Sequence, residues 1–282
     1  MPLISTSELV GDAVANGSAV AAFNVITLEH AEAVVRGAEE AGAPVIVQIS
    51  ENAVKFHAGR PIPLTRAAAA LAESATVGVG LHLDHVTDMA LLHQAAEAGF
   101  SSAMFDAAHE SYPDNLAHTG AAVRWAHDNG LWLEAELGYV GGKPDAPTSA
   151  HTAGVRTDPA EARHFVAETG VDALAVAVGS SHAMTTRTAA LDHDLIAALA
   201  AAVPVPLVLH GSSGVPDEDL SRAVAAGIRK INIGTALNIA YTHGVREFLD
   251  HDATVVDPRK YLARTRAEMT AVVRHLLGAV NG

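Results

Sequence analysis

The stretch VGLHLDHVTDMA (residues 79–90) places His82, Asp84 and His85 at the end of an apolar run. Imidazole nitrogens and carboxylate oxygens can bind a metal ion or transfer a proton, and they can also simply cap a strand. The chain has no cysteine, which excludes thiolate ligands and leaves nitrogen and oxygen atoms to hold any metal. The chemistry therefore depends on which other residues the fold brings to this stretch.

Two further histidines follow apolar runs later in the chain. His182 comes after VDALAVAV (171–178), and His210 ends VPLVLH (205–210). A lone histidine at a strand end more often caps the strand by hydrogen bonding. Three imidazoles from three strand ends are instead typical of a catalytic zinc site with one position left open for substrate. The pattern therefore favours zinc held by His85, His182 and His210.

The elements that must position these residues are eight apolar runs separated by helical patterns. The runs cover residues 17–25, 43–50, 76–84, 100–106, 131–137, 171–178, 205–210 and 228–234. Such continuous apolar character is typical of parallel strands covered on both faces. Helices are predicted at 29–41, 158–169 and 216–226, each followed by a glycine that ends it.

This alternation predicts a (β/α)₈ TIM barrel with additional C-terminal helices from about residue 236, and one domain over residues 1–282. The rival doubly wound sheet would need a G-x-G-x-x-G turn after its first strand, and FNVITLEH has none. The connections 51–64 and 138–157 show no periodicity. Because both follow a strand, we expect them to be functional loops on the catalytic face.

Polar residues at the ends of the predicted strands support a site on that face. They are Asn24, Ser50, Asp84, His85, Asp106, Glu134, Glu136, His182, His210 and Asn232. Two glycine-rich segments, HGSSG (210–214) and NIGTA (232–236), follow strands seven and eight, where barrel enzymes often bind phosphate through backbone N–H groups and hydroxyls. Gly211, Ser212, Ser213, Gly234 and Thr235 are therefore candidate phosphate contacts.

Composition excludes several other classes of function. A net charge of −14 argues against nucleic acid or an anionic membrane as a partner, because both require clustered Lys and Arg. With 49% hydrophobic and 18% charged residues, the chain can bury a large core. The first residues lack the basic and apolar regions of a signal peptide, and no apolar run reaches about 20 residues, so we expect a cytoplasmic protein.

A divalent metal beside a phosphate pocket and a carboxylate suits polarisation of a carbonyl, as in aldol cleavage, aldol condensation or a related isomerisation. A Schiff-base aldolase would require a lysine at an inner strand position. Strand six has none, and the only lysine in a predicted strand is Lys230, near the start of strand eight. Metal-assisted aldol chemistry is the interpretation that remains.

Six motifs resemble those of the class II, zinc-dependent ketose-bisphosphate aldolases, which act on fructose or tagatose bisphosphates. They are LHLDH (81–85), MFDAAH (104–109), EAELG (134–138), LAVAVGSSH (174–182), LVLHGSSG (207–214) and KINIGT (230–235). AFN near the start and DPRKYL (257–262) extend the likeness over essentially the whole chain, in the family's order and spacing. The resemblance implies cleavage of a ketose 1,6-bisphosphate to dihydroxyacetone phosphate and glyceraldehyde 3-phosphate.

The resemblance also assigns roles to residues. It makes His85, His182 and His210 the zinc ligands and Asp84 the acid/base. The remaining assignments are Asp106 and Glu136 as ligands of a second or alternative metal, and Asn24, Ser50, Ala183, Gly211, Ser212, Ser213, Asn232, Ile233, Gly234, Thr235 and Arg259 as substrate contacts. A monovalent cation, Na⁺ or K⁺, near the phosphate and a homodimer or homotetramer are further expectations. Arg259 is expected at the distal phosphate, from this subunit or a neighbouring one.

The chain departs from the family pattern at three places. Ala183 stands where glycine is usual, Gly234 where some relatives have aspartate, and Lys143 with Pro144 where loop acids are expected. Asp145 or His151 is the candidate to carry the C3 proton instead. Fructose 1,6-bisphosphate is the default substrate, with tagatose 1,6-bisphosphate, another phosphorylated ketose, or a non-catalytic aldolase partner as the alternatives.

Overall fold

Eight parallel strands close into a barrel in chain order. The structure is a computed structural model that describes residues 2–140 and 156–281. The strands are β1 Val20–Asn24, β2 Val45–Ser50, β3 Val79–Val86, β4 Ser102–Phe105, β5 Trp132–Leu137, β6 Ala173–Val176, β7 Leu207–Leu209 and β8 Ile228–Ile233. Each strand pairs in parallel with the next, and β8 pairs with β1 to close the barrel. The predicted TIM barrel is confirmed.

Helices surround the barrel. Those in the described part of the chain are α1 Thr6–Asn16, α2 Leu28–Ala41, α3 Glu51–Phe56, α4 Ile62–Ser74, α5 Met89–Leu92, α6 Ala95–Ala98, α7 Tyr112–Asp128, α8 Pro159–Thr169, α9 His193–Ala202, α10 Asp217–Ala226, α11 Thr235–His251 and α12 Pro258–Asn281. The predicted helices correspond to α2, α8 and α10, and α11 and α12 confirm the C-terminal extension. None of these described helices combines the length and apolar character needed to span a membrane.

The connection after β2 differs from the prediction. Residues 51–64 were expected to lack regular structure, but they contain all of α3 and the first turn of α4. The helix α3 has only six residues, too few to show helical periodicity, and it ends before two positive-φ residues, Ala58 and Gly59. Ser50 begins it by accepting a hydrogen bond from the Ala53 N–H. This prediction of an irregular loop was wrong.

The barrel interior is layered. At the amino-terminal end, Val20, Ala22 and Ile46 pack with Leu9 and Val10 of α1, a helix that the sequence analysis did not predict. Because side chains alternate along a strand, Asn24 of β1 and Gln48 of β2 also point inward, nearer the carboxyl end. The interior therefore changes from apolar to polar toward the face where the candidate site residues lie.

Candidate active site at the carboxyl end of the barrel

A cavity of about 780 Å³ opens at the carboxyl ends of the strands. Predicted residues from most strands line it: Asn24, Ser50, Asp84, His85, Asp106, His182, Ala183, Gly211, Ser212, Ser213, Asn232, Gly234 and Thr235. Residues more than 200 positions apart in the chain thus share one concave surface, as expected of a ligand site on this fold.

The backbone of β3 bends at His85. Strict alternation would send Asp84 into the barrel and His85 outward against the helices. His85 instead has φ +49°, and the pairing of β3 with β4 shifts register between Leu83 and Val86. A non-glycine residue in this left-handed region is uncommon and often marks a functional position. The bend allows two consecutive side chains, Asp84 and His85, to face the same cavity.

The three predicted histidines converge. Their ring centroids are 5.0 Å apart for His85 and His182, 4.8 Å for His85 and His210, and 5.8 Å for His182 and His210. One nitrogen from each ring lies within 4.8 Å of the other two, close enough for a single ion to contact all three. An all-nitrogen ligand set of this kind suits zinc and other borderline divalent metals.

Carboxylates hold two of these rings. The His85 Nδ1 atom is 2.8 Å from Asp106 Oδ2, and His210 lies between Glu136, 3.0 Å from Nδ1, and Glu134, 2.8 Å from Nε2. Burial lowers the pKa of His210, but the hydrogen bonds with both glutamates outweigh burial and raise it to about 9. Carboxylate–histidine pairs are the usual surroundings of metal-binding histidines. The donor set therefore fits a metal ion that takes the place of one of the two carboxylates at the His210 nitrogens.

The pKa of His85 is also raised. Burial alone lowers it, but the negative charge of Asp84 and the hydrogen bond with Asp106 outweigh burial. A ligand nitrogen must be free of its proton to bind a metal, so proton and metal compete for these rings.

Asp84 is buried and held by amides on both oxygens. Asn24 Nδ2 donates to Oδ2 at 2.8 Å, and Asn232 Nδ2 faces Oδ1 at 3.4 Å. Gln48 Nε2 in turn donates to Asn24 Oδ1 at 2.8 Å. Burial raises the pKa of Asp84, but the nearby histidines outweigh burial and hold it below its ordinary value. The carboxylate is therefore ionised, fixed in orientation and able to accept a proton.

His82, the other polar residue of the opening stretch, is separate from this cluster. It lies fully buried one inward position before Asp84, with Nδ1 2.8 Å from Ser102 Oγ. The hydroxyl of Ser102 also donates to Thr6 of α1 at 2.7 Å. Burial and the positive charge of Lys230 lower the pKa of His82 to about 3, so the ring is neutral. These contacts join the barrel wall to α1.

The loops after β7 and β8 approach each other. Gly211 has φ +66° and begins a short 3₁₀ helix, Ser212–Gly214, while Ser213 Oγ accepts a hydrogen bond from the Ala236 N–H at 3.1 Å. This bond ties the β7 loop to the first turn of α11. Backbone N–H groups at such turns and helix ends are suited to phosphate.

Ala183 has φ +57°. A glycine would adopt this backbone without strain, whereas alanine is in a left-handed conformation that L-residues avoid.

Two predicted residues, Glu136 and His210, are buried and do not line the cavity, and four more lie elsewhere or outside the described residues. The side chain of Ile233 is buried in the hydrophobic core and does not line the cavity. Arg259 is an exposed residue of α12 that pairs with Asp257 at 2.6 Å, and it does not line the cavity either. Asp145 and His151 lie outside the described residues.

Sequence reasoning missed Glu51. This nearly buried carboxylate accepts a 2.6 Å hydrogen bond from the Thr87 N–H and pairs with Lys55 at 2.6 Å. It thereby holds the chain two residues after His85. Sequence reasoning also missed Gln48, a lone amide in the apolar run VIVQIS, whose isolation among apolar residues was the available signal.

The fold and the cavity define a TIM-barrel enzyme of the aldolase type. The family described as fructose-bisphosphate aldolase class-II matches residues 4–282, and the chain belongs to this family of lyases. A fructose-bisphosphate aldolase of Staphylococcus epidermidis is 37% identical over 275 residues, which cover 97% of this chain and 96% of the relative. One from Thermus caldophilus is 38% identical over 304 residues, covering 99% of each chain.

A solved structure gives the same fold. The YdjI aldolase from Escherichia coli K12 superposes with a TM-score of 0.82 at 32% sequence identity, covering 99% of this chain and 97% of that one.

Proposed function

We propose that the protein catalyses the reversible aldol cleavage of fructose 1,6-bisphosphate to dihydroxyacetone phosphate and glyceraldehyde 3-phosphate. The observation that carries the proposal is the convergence of three histidines beside a buried, amide-held carboxylate that lines the cavity. The names of the curated relatives support the substrate. Residues 1–282 are proposed to act as one domain.

His85, His182 and His210 are the proposed ligands of one catalytic Zn²⁺, because their nitrogens converge and carboxylates orient two of the rings. When bound, zinc supplies a Lewis acid that polarises the ketose carbonyl and stabilises the charge left when the carbon–carbon bond breaks. Asp106 and Glu136 are proposed to serve a second or alternative metal position. In the described geometry, each of them contacts a ligand ring.

Asp84 is the proposed acid/base. Its lowered pKa keeps it ionised, so it can take the proton from the C4 hydroxyl during cleavage and return it during condensation. Asn24 and Asn232 fix the direction of the two carboxylate oxygens. A base that is already oriented avoids the entropic cost of finding the reacting proton.

The substrate phosphates are proposed to bind at the β7 and β8 loops. Gly211 to Ser213 and Asn232 to Thr235 would contact the phosphate of dihydroxyacetone phosphate, with Ala183 and a Na⁺ or K⁺ ion beside it. Ile233 can contribute only its backbone, since its side chain is in the core. Ser50, at the rim, is proposed to contact the sugar.

Arg259 is proposed to bind the distal phosphate from a neighbouring subunit of a homodimer or homotetramer, because in its own subunit it lies exposed and away from the cavity lining. Asp145 or His151 is proposed to carry the C3 proton. Tagatose 1,6-bisphosphate differs from the default substrate at one stereocentre, so it is the comparison that the assay must include.

The test is turnover of a panel of ketose phosphates, including both bisphosphates, with and without a metal chelator. We expect cleavage of fructose 1,6-bisphosphate that is abolished by chelation and restored by added Zn²⁺. Cleavage that persists without metal would contradict the zinc mechanism. Preference for another ketose would contradict the substrate, and a protein that neither binds zinc nor turns over any ketose would be the non-catalytic partner.

A further inference from the structure

Lys230 is a fully buried cation in the interior of the barrel. It is the third residue of β8, and none of its surface is exposed. A buried ammonium group is costly unless charged and polar partners surround it. Two such partners lie within hydrogen-bond distance of Nζ, and each of them contacts a different part of the proposed active site.

The first partner is Glu134 of β5. Lys230 Nζ is 2.8 Å from Glu134 Oε2, and the other oxygen, Oε1, is 2.8 Å from Nε2 of His210. All three side chains are fully buried. The carboxylate of Glu134 thus bridges the ammonium group of Lys230 and the ring of His210.

The second partner is Asn232, two residues along the same strand. Lys230 Nζ donates to Asn232 Oδ1 at 2.8 Å. Because an ammonium group can only donate, the amide must present its oxygen to Lys230 and therefore its NH₂ group to the other side. On that side, Nδ2 faces Asp84 Oδ1 at 3.4 Å.

We propose that Lys230 is a positioning residue that sets both halves of the active site through one ammonium group: the ring of His210 through Glu134, and the carboxylate of Asp84 through Asn232. The inference rests on the proposed function, in which His210 binds zinc and Asp84 transfers the proton. Lys230 and Asn232 are neighbours on β8, whereas Glu134, His210 and Asp84 lie on β5, β7 and β3 and are brought to them by the barrel fold.

Lys230 does not act as a Schiff-base nucleophile in this arrangement. Its side chain does not line the cavity, and two of its three N–H donors are already engaged. A nucleophilic amine must reach the substrate carbonyl, whereas the Nζ atom of Lys230 is buried and held against Glu134.

Four variants test the proposal: Lys230→Met, Glu134→Gln, Asn232→Ala and, as a surface control, Arg274→Met, which removes a cation paired with Glu40 on the outside of the barrel. Two quantities are measured, the Kd for Zn²⁺ by chelator competition and kcat at saturating zinc. Circular dichroism establishes that each variant is folded.

Lys230→Met is expected to raise the zinc Kd by about 10- to 100-fold, the usual effect of losing support around a metal ligand, and also to lower kcat. Glu134→Gln should reproduce the loss of zinc affinity, and Asn232→Ala the loss of kcat with zinc affinity unchanged. Arg274→Met should match the wild type in both quantities.

The double variant Lys230→Met/Glu134→Gln removes both members of the ion pair and avoids leaving a buried unpaired carboxylate. If Lys230 acts on zinc through Glu134, the double variant binds zinc no more weakly than the weaker single variant. Additive losses would overturn the proposal, and so would trapping of a Lys230 adduct by borohydride in the presence of substrate.

The experiment separates the two proposals. Wild-type protein that binds no zinc contradicts the proposed function. Wild-type protein that binds zinc, together with a folded Lys230→Met variant that binds it equally well, contradicts only the role of Lys230.

Discussion

Gly211 joins two of the candidate ligands in a way that a single methyl group can test. It follows His210 directly and has φ +66°, and a Cβ added to it would lie 2.6 Å from both the carbonyl carbon and the carbonyl oxygen of Ser181, the residue before His182. Such contacts with backbone atoms cannot be relieved by a side-chain rotation. The substitution Gly211→Ala must therefore move the backbone beside one ligand or the other.

The expected loss of stability has a backbone part, which is the net of two opposing terms, and a packing part. The left-handed backbone costs an alanine about 1–2 kcal/mol, and the smaller entropy of the unfolded alanine chain returns about 0.4–1 kcal/mol. Overpacking against Ser181 adds about 1–3 kcal/mol. We expect Gly211→Ala to lower the free energy of unfolding by about 1–5 kcal/mol in all.

Gly17 provides the matched control. It ends α1 with φ +64°, and an added Cβ would meet nothing within 4 Å. Gly17→Ala should therefore cost only the backbone part, about 1 kcal/mol. Urea unfolding of both variants separates the two parts, and chelator competition should show weaker zinc binding for Gly211→Ala alone. Equal destabilisation by the two substitutions would refute the reasoning from the Ser181 contact.

Three further predictions concern single residues. Asp84→Ala should lower kcat by about 10²-fold or more, as expected for a lost general acid/base; unchanged turnover would remove Asp84 from the mechanism. Ala183→Gly should raise the free energy of unfolding by about 0.5–1 kcal/mol because it relieves a left-handed alanine. Ala58 has the same φ but is exposed on the surface, so Ala58→Gly should raise the free energy of unfolding, measured in urea, by the same amount. If both glycine variants were less stable than the wild type, the proposed backbone strain would be contradicted. Burial raises the pKa of Glu51, but the contacts with Lys55 and Thr87 outweigh burial and lower this pKa from its ordinary value of 4.5. The ionised carboxylate therefore stabilises the fold above pH 4.5, and this stabilisation is lost as the pH falls through the lowered pKa of the folded state. The difference in unfolding free energy between wild type and Glu51→Gln should therefore shrink below about pH 4.5, and a constant difference would contradict the ion pair.

Much of the fold could be predicted because parallel strands covered on both faces are apolar throughout. All eight runs became strands, with ends shortened by one to three residues in most cases and β3 extended to Val86. The short helix α3 could not be predicted, since six residues do not establish a period. The helix α1 was missed although Ser5 caps it and Gly17 ends it, two signals that the sequence does contain.

The candidate site was predictable one strand end at a time. His85, His182 and His210 each follow an apolar run, and the barrel topology places such ends together. The contacts between strands were not predictable, because they depend on register. The pairing of Lys230 with Glu134 requires knowing which residues of β8 and β5 meet across the barrel interior, and the bend at His85 requires the register of β3 against β4.

The bend in β3 has a consequence for heat inactivation. Asp84 and His85, the proposed proton carrier and a proposed metal ligand, are consecutive residues of β3, and their shared orientation depends on the bend of one strand that pairs with both of its neighbours in the barrel wall. The phosphate loops after β7 and β8 depend instead on contacts such as the one from Ala236 to Ser213. On warming toward the unfolding transition, substrate affinity should therefore weaken before the rate of bond cleavage does, seen as a rise in KM that precedes any fall in kcat.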